Sequence, residues 1–117
     1  MKWPLILLIF LAGAATPVHA QSGLHFARDA PITRFKQADI ELMTKTLNRA
    51  LDNGPDGVAQ TWENPSAGNS GSITPGKDPQ GRNDCRKARV ENRHKLTQNV
   101  TDAVFCKVDG KWKALSK

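Results

Sequence analysis

Six basic residues crowd one short stretch, Arg82, Arg86, Lys87, Arg89, Arg93 and Lys95, with His94 beside them and Asp84 and Glu91 interspersed. Such a stripe carries the charge to hold phosphate, anionic lipid, lipopolysaccharide or nucleic acid. The bland alternative is a solvated strand face. In extended backbone Lys87, Arg89 and Glu91 share the side of Cys85, and the acid interrupts the positive row. The six residues stand as the candidate anion-binding surface.

Cys85 and Cys106 are the chain's two cysteines. In an oxidising compartment an even pair is expected to bridge. The closed loop of about twenty residues would stabilise a small domain by roughly 3 kcal/mol. A metal site fails on ligand count: no second Cys or His stands two to four residues from either cysteine, and His94 is too far along from Cys85. The absence of a Cys-x-x-Cys pair argues against redox chemistry. No metal and no cofactor are expected.

Two catalytic or ligand readings are weighed against structural ones. His25, His94 and Glu63 with several arginines give the composition of a small secreted ribonuclease, in which a carboxylate or His is the base and Arg stabilises phosphate charge. No spacing joins them into a site, so no catalytic residue is assigned and the chain is read as a non-enzyme. Trp62-Glu63-Asn64-Pro65-Ser66-Ala67-Gly68 offers an aromatic face and amides, as carbohydrate sites do. The favoured reading is a core Trp on a strand followed by a turn whose Asn bonds its own backbone.

These residues need elements to position them. From Gln37 to Asn53 the apolar residues Ile40, Leu42, Met43, Leu47, Ala50 and Leu51 recur at three- and four-residue steps, which predicts an amphipathic helix. Phe35 and Ile40 are placed to staple its start around Lys36, Asp39 in the first turn favours the helix dipole, and Asn53-Gly54-Pro55 stops it. Beyond Gly57 the period changes to two. Strands are expected at Val58–Asn64, at Ser72–Thr74 with a stop at Pro75-Gly76, at Cys85–Asn92, within Leu96–Val108, and at Lys111–Leu115 after the Asp109-Gly110 hairpin turn. The result is an α+β fold: one amphipathic N-terminal helix packed on an antiparallel sheet of four or five strands, with one disulfide. If the third and fourth strands are neighbours, Cys85 and Cys106 face each other and pin the register.

The chain has 117 residues, 17 basic against 11 acidic. That is enough for one domain and too little for the two-domain layout of most cofactor enzymes. Residues 1–20 read as a cleaved signal peptide: a basic start, an apolar run from Trp3 to Ala15, and small residues at Val18 and Ala20. Its thirteen apolar residues fall short of the roughly 20 that span a bilayer. Leu11-Ala12-Gly13-Ala14 has the form of a lipoprotein box with alanine in place of the lipid-accepting cysteine. Without Lys2 the expected mature chain keeps a net charge of +5. Residues 21–34 read as an extended arm and 35–117 as the domain.

Taken in order, Ala50-Leu51, Gly57, Trp62-Glu63-Asn64-Pro65, Gly68-Asn69-Ser70-Gly71, Ile73-Thr74-Pro75, Cys85-Arg86, Phe105-Cys106 and Asp109-Gly110-Lys111-Trp112 resemble the C-terminal domain of the rickettsial 17-kilodalton surface antigen family of proteobacterial envelope proteins. The likeness runs from about Ala38 to Leu115, without the family's lipobox cysteine or glycine-rich segment. It implies an exported, non-enzymatic envelope protein, periplasmic, secreted or associated with the outer membrane. Trp62, Asn64, Pro65, Gly68, Gly71, Pro75, Gly110 and Trp112 are then expected to serve structure. The expected partners are anionic lipid, lipopolysaccharide or another envelope protein, with no physiological nucleic acid. The alternatives are the small secreted ribonuclease-like hydrolase and a periplasmic inhibitor of a host or bacterial enzyme. The inhibitor reading is weakened because a basic protein is repelled by basic target enzymes.

Overall fold

The structure, a computed structural model, describes residues 30–115. The expected signal peptide and the arm as far as residue 29 lie outside the described residues. The last residues of the arm are not extended. Pro31–Arg34 forms a 3-10 turn that opens on a proline, and Pro31 is buried. The fixed φ of proline suits a first helical position, and the turn packs against the third and fourth strands.

Helix α1 spans Gln37–Asn53, as its periodicity predicts. Lysine has no acceptor with which to cap a helix. Asp39 supplies the start instead, its carboxylate accepting the Lys36 N–H at 2.8 Å. Phe35, expected to staple against Ile40, meets Trp62 edge-on with ring centroids 5.2 Å apart. The helix ends where the Gly54 N–H reaches the Ala50 carbonyl at 2.9 Å, and Pro55 then bars continuation.

Five strands follow as a simple antiparallel meander, β1 (Gln60–Asn64), β2 (Asn69–Lys77), β3 (Cys85–His94), β4 (Thr97–Val108) and β5 (Lys111–Ala114). The fold is α+β, with hairpins joining every pair of neighbours. Two strands depart from expectation. β1 begins two residues late, at Gln60. β2 is three times the expected length and runs through Pro75-Gly76 instead of stopping there. The Pro75 carbonyl accepts the Gly57 N–H, so the proline nitrogen faces the same side, beyond the end of β1. No ladder bond is asked of it there, which is why a proline fits inside the strand.

The register assigns every side chain to one of two faces. Trp62 is opposite Gly71, and Ile73 is opposite Val90. Trp62, Ile73 and Ala88 pack with Ala50 and Leu51 of α1 in the core, flanked by Phe35, Met43, Leu47, Val90, Phe105 and Trp112. This is the inner face. Gly71 is required by close approach, since a Cβ there would lie 2.5 Å from the Trp62 indole nitrogen and 2.6 Å from the Glu91 carbonyl. Trp62 is therefore a core residue, as the structural reading of its stretch has it, whereas Asn64, expected to bond its own backbone in the turn, donates its amide to Asp39 instead.

Cys85 stands directly opposite Cys106 on the outer face, and the two form the disulfide. It joins β3 to β4 near the open end of their hairpin. Reducing it is expected to lower the unfolding free energy by about 3 kcal/mol, read as a shift of the urea midpoint with and without reductant. A shift worth less than about 1 kcal/mol would mean that the ladder alone fixes this register.

Candidate functional site

The six basic residues of the sequence stripe do not form one surface. Arg82 is turned back on its own loop. Its Nε and Nη2 bind Asp78 at 2.6 and 3.0 Å, and its backbone N–H binds the same carboxylate at 2.9 Å. This guanidinium and the backbone bonds outweigh burial and hold the Asp78 carboxyl well below the usual carboxylate range.

Arg86 points inward to the end of α1. Its Nη1 donates to the Ala50 and Leu51 carbonyls at 3.0 Å each, and its Nη2 donates to the Gly54 carbonyl at 2.8 Å and to Asp56. The last carbonyls of a helix lack intrahelical partners and carry the negative end of its dipole, so a guanidinium satisfies both needs. Arg86 is a helix cap and is spent on the fold.

Lys87, Arg89 and Arg93 share the outer face with Cys85 and Glu91, as strand alternation requires. Arg89 lies 3.6 Å from Glu91 and opposite Asp102 in the register, while Arg93 donates to Gln98 at 2.5 Å. Lys95 sits in the β3–β4 turn at φ 52°, and its N–H binds the Gly68 carbonyl at 2.8 Å. Of the six, Lys87 alone has neither a polar partner among the described residues nor a turn to serve.

The register supplies two cations that the stripe did not include. Lys113 lies opposite Cys106, and Lys111 opposite Val108, so both join Lys87 on the outer face around the disulfide. None of these three lysines has a hydrogen-bond or ion-pair partner among the described residues. Exposed Val108 and half-buried Val104 stand between them. The strand spacings put Lys87 and Lys113 roughly 12 Å apart at Cα and Lys111 and Lys113 roughly 7 Å apart. Such spacing suits an extended polyanion better than one phosphate.

The opposite end of the outer face has a different character. Thr61, Glu63, Ser70, Ser72, Glu91, Arg93 and Gln98 line an open groove of about 640 Å³. Its charges are mixed, and Ser72 donates to Glu91 at 3.1 Å. It has no excess of positive charge with which to attract an anion.

A buried polar network lies on the inner face. Fully buried Asp39 accepts the Asn64 and Asn69 amides at 2.8 Å each, in addition to the Lys36 N–H. Burial acts to raise its pKa, but these three hydrogen bonds outweigh it and hold the carboxyl below its ordinary value. Because the Asn69 amide nitrogen donates to Asp39, its oxygen accepts, and His94 Nδ1 donates to it at 2.6 Å. His94 and Glu63, the two described candidates for hydrolase chemistry, thus stand on opposite faces of the sheet. His25 lies outside the described residues. No group of three or more His, Cys, Asp or Glu among the described residues is placed to hold a metal.

The structural residues divide by task. Asn64 serves Asp39, and Pro65 opens the 3-10 turn Pro65–Ala67, which Gly68 closes at φ 69°. Gly110 takes φ 76° in the last hairpin turn. The Trp112 indole donates to Asp52 at 2.8 Å, beside the Lys107 ammonium at 3.1 Å. These two donors, the indole first, lower the Asp52 pKa and tie β5 to α1.

No protein-family profile, curated protein or solved structure matches the chain.

Two outcomes follow from this division of residues. Arg86→Ala is expected to cost about 2–3 kcal/mol of stability, because it strips three carbonyls of a charged donor. Lys87→Ala should stay within about 0.5 kcal/mol, and urea unfolding of the two variants measures the contrast. Asp39, with its folded pKa depressed, contributes stability above its unfolded pKa of 3.8 that is lost as pH falls through the folded value. Asp39→Asn should therefore be less stable than wild type at neutral pH and should flatten the loss seen below pH 3.8.

Proposed function

We propose that this chain is a non-enzymatic cell-envelope protein of the surface antigen type, exported to an oxidising compartment, whose outer sheet face binds anionic envelope components. The observation that supports the reading is the set of half-buried Lys87 and exposed Lys111 and Lys113 around the disulfide, cations without a hydrogen-bond or ion-pair partner among the described residues. Folding does not use their charge, whereas it uses Arg82 and Arg86 fully. Val104 and Val108 between them give apolar contact beside the charge, a combination that suits acylated, phosphorylated polymers and lipid head groups. The disulfide is compatible with export, since such bonds persist outside the reducing cytosol. No helix among the described residues is long and apolar enough to cross a membrane.

The ordered Trp-Glu-Asn-Pro, Gly-Asn-Ser-Gly, Cys-Arg and Asp-Gly-Lys-Trp segments support the surface antigen reading. Each has a structural task in this fold: Trp62 over Gly71, Asn64 on Asp39, Arg86 on the helix end and Trp112 on Asp52.

The test compares wild type with the triple variant Lys87→Ala/Lys111→Ala/Lys113→Ala in binding to lipopolysaccharide and, separately, to vesicles containing anionic phospholipid. Wild-type binding is expected to weaken as salt is raised, and the triple variant to bind at least about tenfold more weakly at low salt with an unchanged urea midpoint. Binding unaffected by the triple substitution would overturn the assigned surface. A nuclease activity of the purified protein that disappears in His94→Ala would overturn the non-enzymatic reading.

A further inference from the structure

β4 is longer than the strand beside it. β5 pairs with Phe105–Val108, and Leu115 adds one bond to Val104. From Thr97 to Ala103 no strand among the described residues pairs with β4 on the side away from β3. The Val104 carbonyl faces β5 and the Lys107 N–H faces the β3 side, so the even-numbered residues present their backbone groups outward. Gln98, Val100 and Asp102 therefore hold three N–H and three C=O groups at an open edge, and all three residues are exposed. The β5 edge is guarded by Lys111 and Lys113, the usual defence of an edge strand. The open part of β4 contains neither lysine nor proline.

We propose that two copies of this chain pair edge to edge through Gln98–Asp102 of β4, antiparallel about a two-fold axis at Val100. The pattern is self-complementary, as an isologous contact requires. Val100 exchanges both backbone bonds with its symmetry mate, and Gln98 exchanges two with the mate's Asp102 on either side. Asn99 meets the mate's Thr101 on the inner face, and Val100 meets Val100 on the outer face, where its side chain is 42% exposed. The chemistry also selects the register: an axis at Asn99 or Thr101 would pair only two of the three open residues of each copy, whereas one at Val100 pairs all three. Sliding the axis two residues to Asp102 would set Asp102 against Asp102, a destabilising like-charge pair. Sliding it to Gln98 would run Asp102 past the start of β4. At Val100 each aspartate faces a glutamine, and the two meanders join into one ten-stranded sheet with a continuous outer face.

The test uses the full chain with its disulfide intact, in sedimentation velocity over a range of concentrations. The expected result is a concentration-dependent dimer, with slow amide exchange at Gln98, Val100 and Asp102 in the dimer. Val100→Pro removes an N–H that faces the open edge and leaves the β3 ladder intact, so it should weaken dimerisation at least tenfold with unchanged circular dichroism. Val100→Lys, which sets two lysines against each other, should do the same should the proline variant misfold. A wild-type protein that stays monomeric at millimolar concentration, or a dimer unmoved by folded Val100→Pro or Val100→Lys, would overturn the proposal.

Discussion

One helix has to cover the inner face of five strands, and the fully buried apolar side chains available for this are few. Opposite charges hold the helix at its two ends. At the first turn the buried Asp39 carboxylate gathers the Lys36 N–H and the amides of Asn64 and Asn69, so the helix start, the end of β1 and the beginning of β2 meet at one anion. At the last turn the Arg86 guanidinium gathers the carbonyls of Ala50, Leu51 and Gly54. Both charges complement the helix dipole, and they supply partners to the Lys36 N–H and to the Leu51 and Gly54 carbonyls, the Ala50 carbonyl being bonded by the Gly54 N–H as well. The core of Leu51, Trp62, Ile73 and the two alanines is assembled between these points.

The same constraint determines what the surface has left to offer. Strand alternation sends Arg86 to the helix and Lys87 to the outer face, so adjacent basic residues have unrelated tasks. The disulfide sits on the outer face, and its register brings Lys113 of β5 into line with Cys85 of β3. A cationic surface is thereby made from three strands rather than one. The inner face is left to the helix, the Asp39 network and the Asp52 tie to Trp112.

Local order was legible from the residues and non-local order was not. The helix could be bounded because its apolar period and the Asn53-Gly54-Pro55 stop are both local signals. The facing cysteines followed once β3 and β4 were taken as neighbours. The length of β2 could not be read, because Pro75 signals a stop unless it is known that β1 has already ended at its side. The basic stripe misled for a similar reason. Arg82 has its partner four residues back, but Arg86 reaches carbonyls more than thirty residues away, and no spacing near it announces that. Lys111 and Lys113 lie outside the stripe in sequence, and their relation to Lys87 depends on two successive registers. No signal near His94 announces its bond to Asn69, which comes from β2–β3 pairing.

The claim that a buried, ionised carboxylate anchors the helix start can be tested directly by following the Asp39 side-chain carbon through a pH titration by nuclear magnetic resonance in the folded protein. The midpoint is expected below 3.8, with the carboxylate signal retained at pH values where an exposed aspartate has begun to protonate. A midpoint at or above 3.8 would contradict it, since the hydrogen bonds from Lys36, Asn64 and Asn69 would then be failing to hold the charge in its buried place.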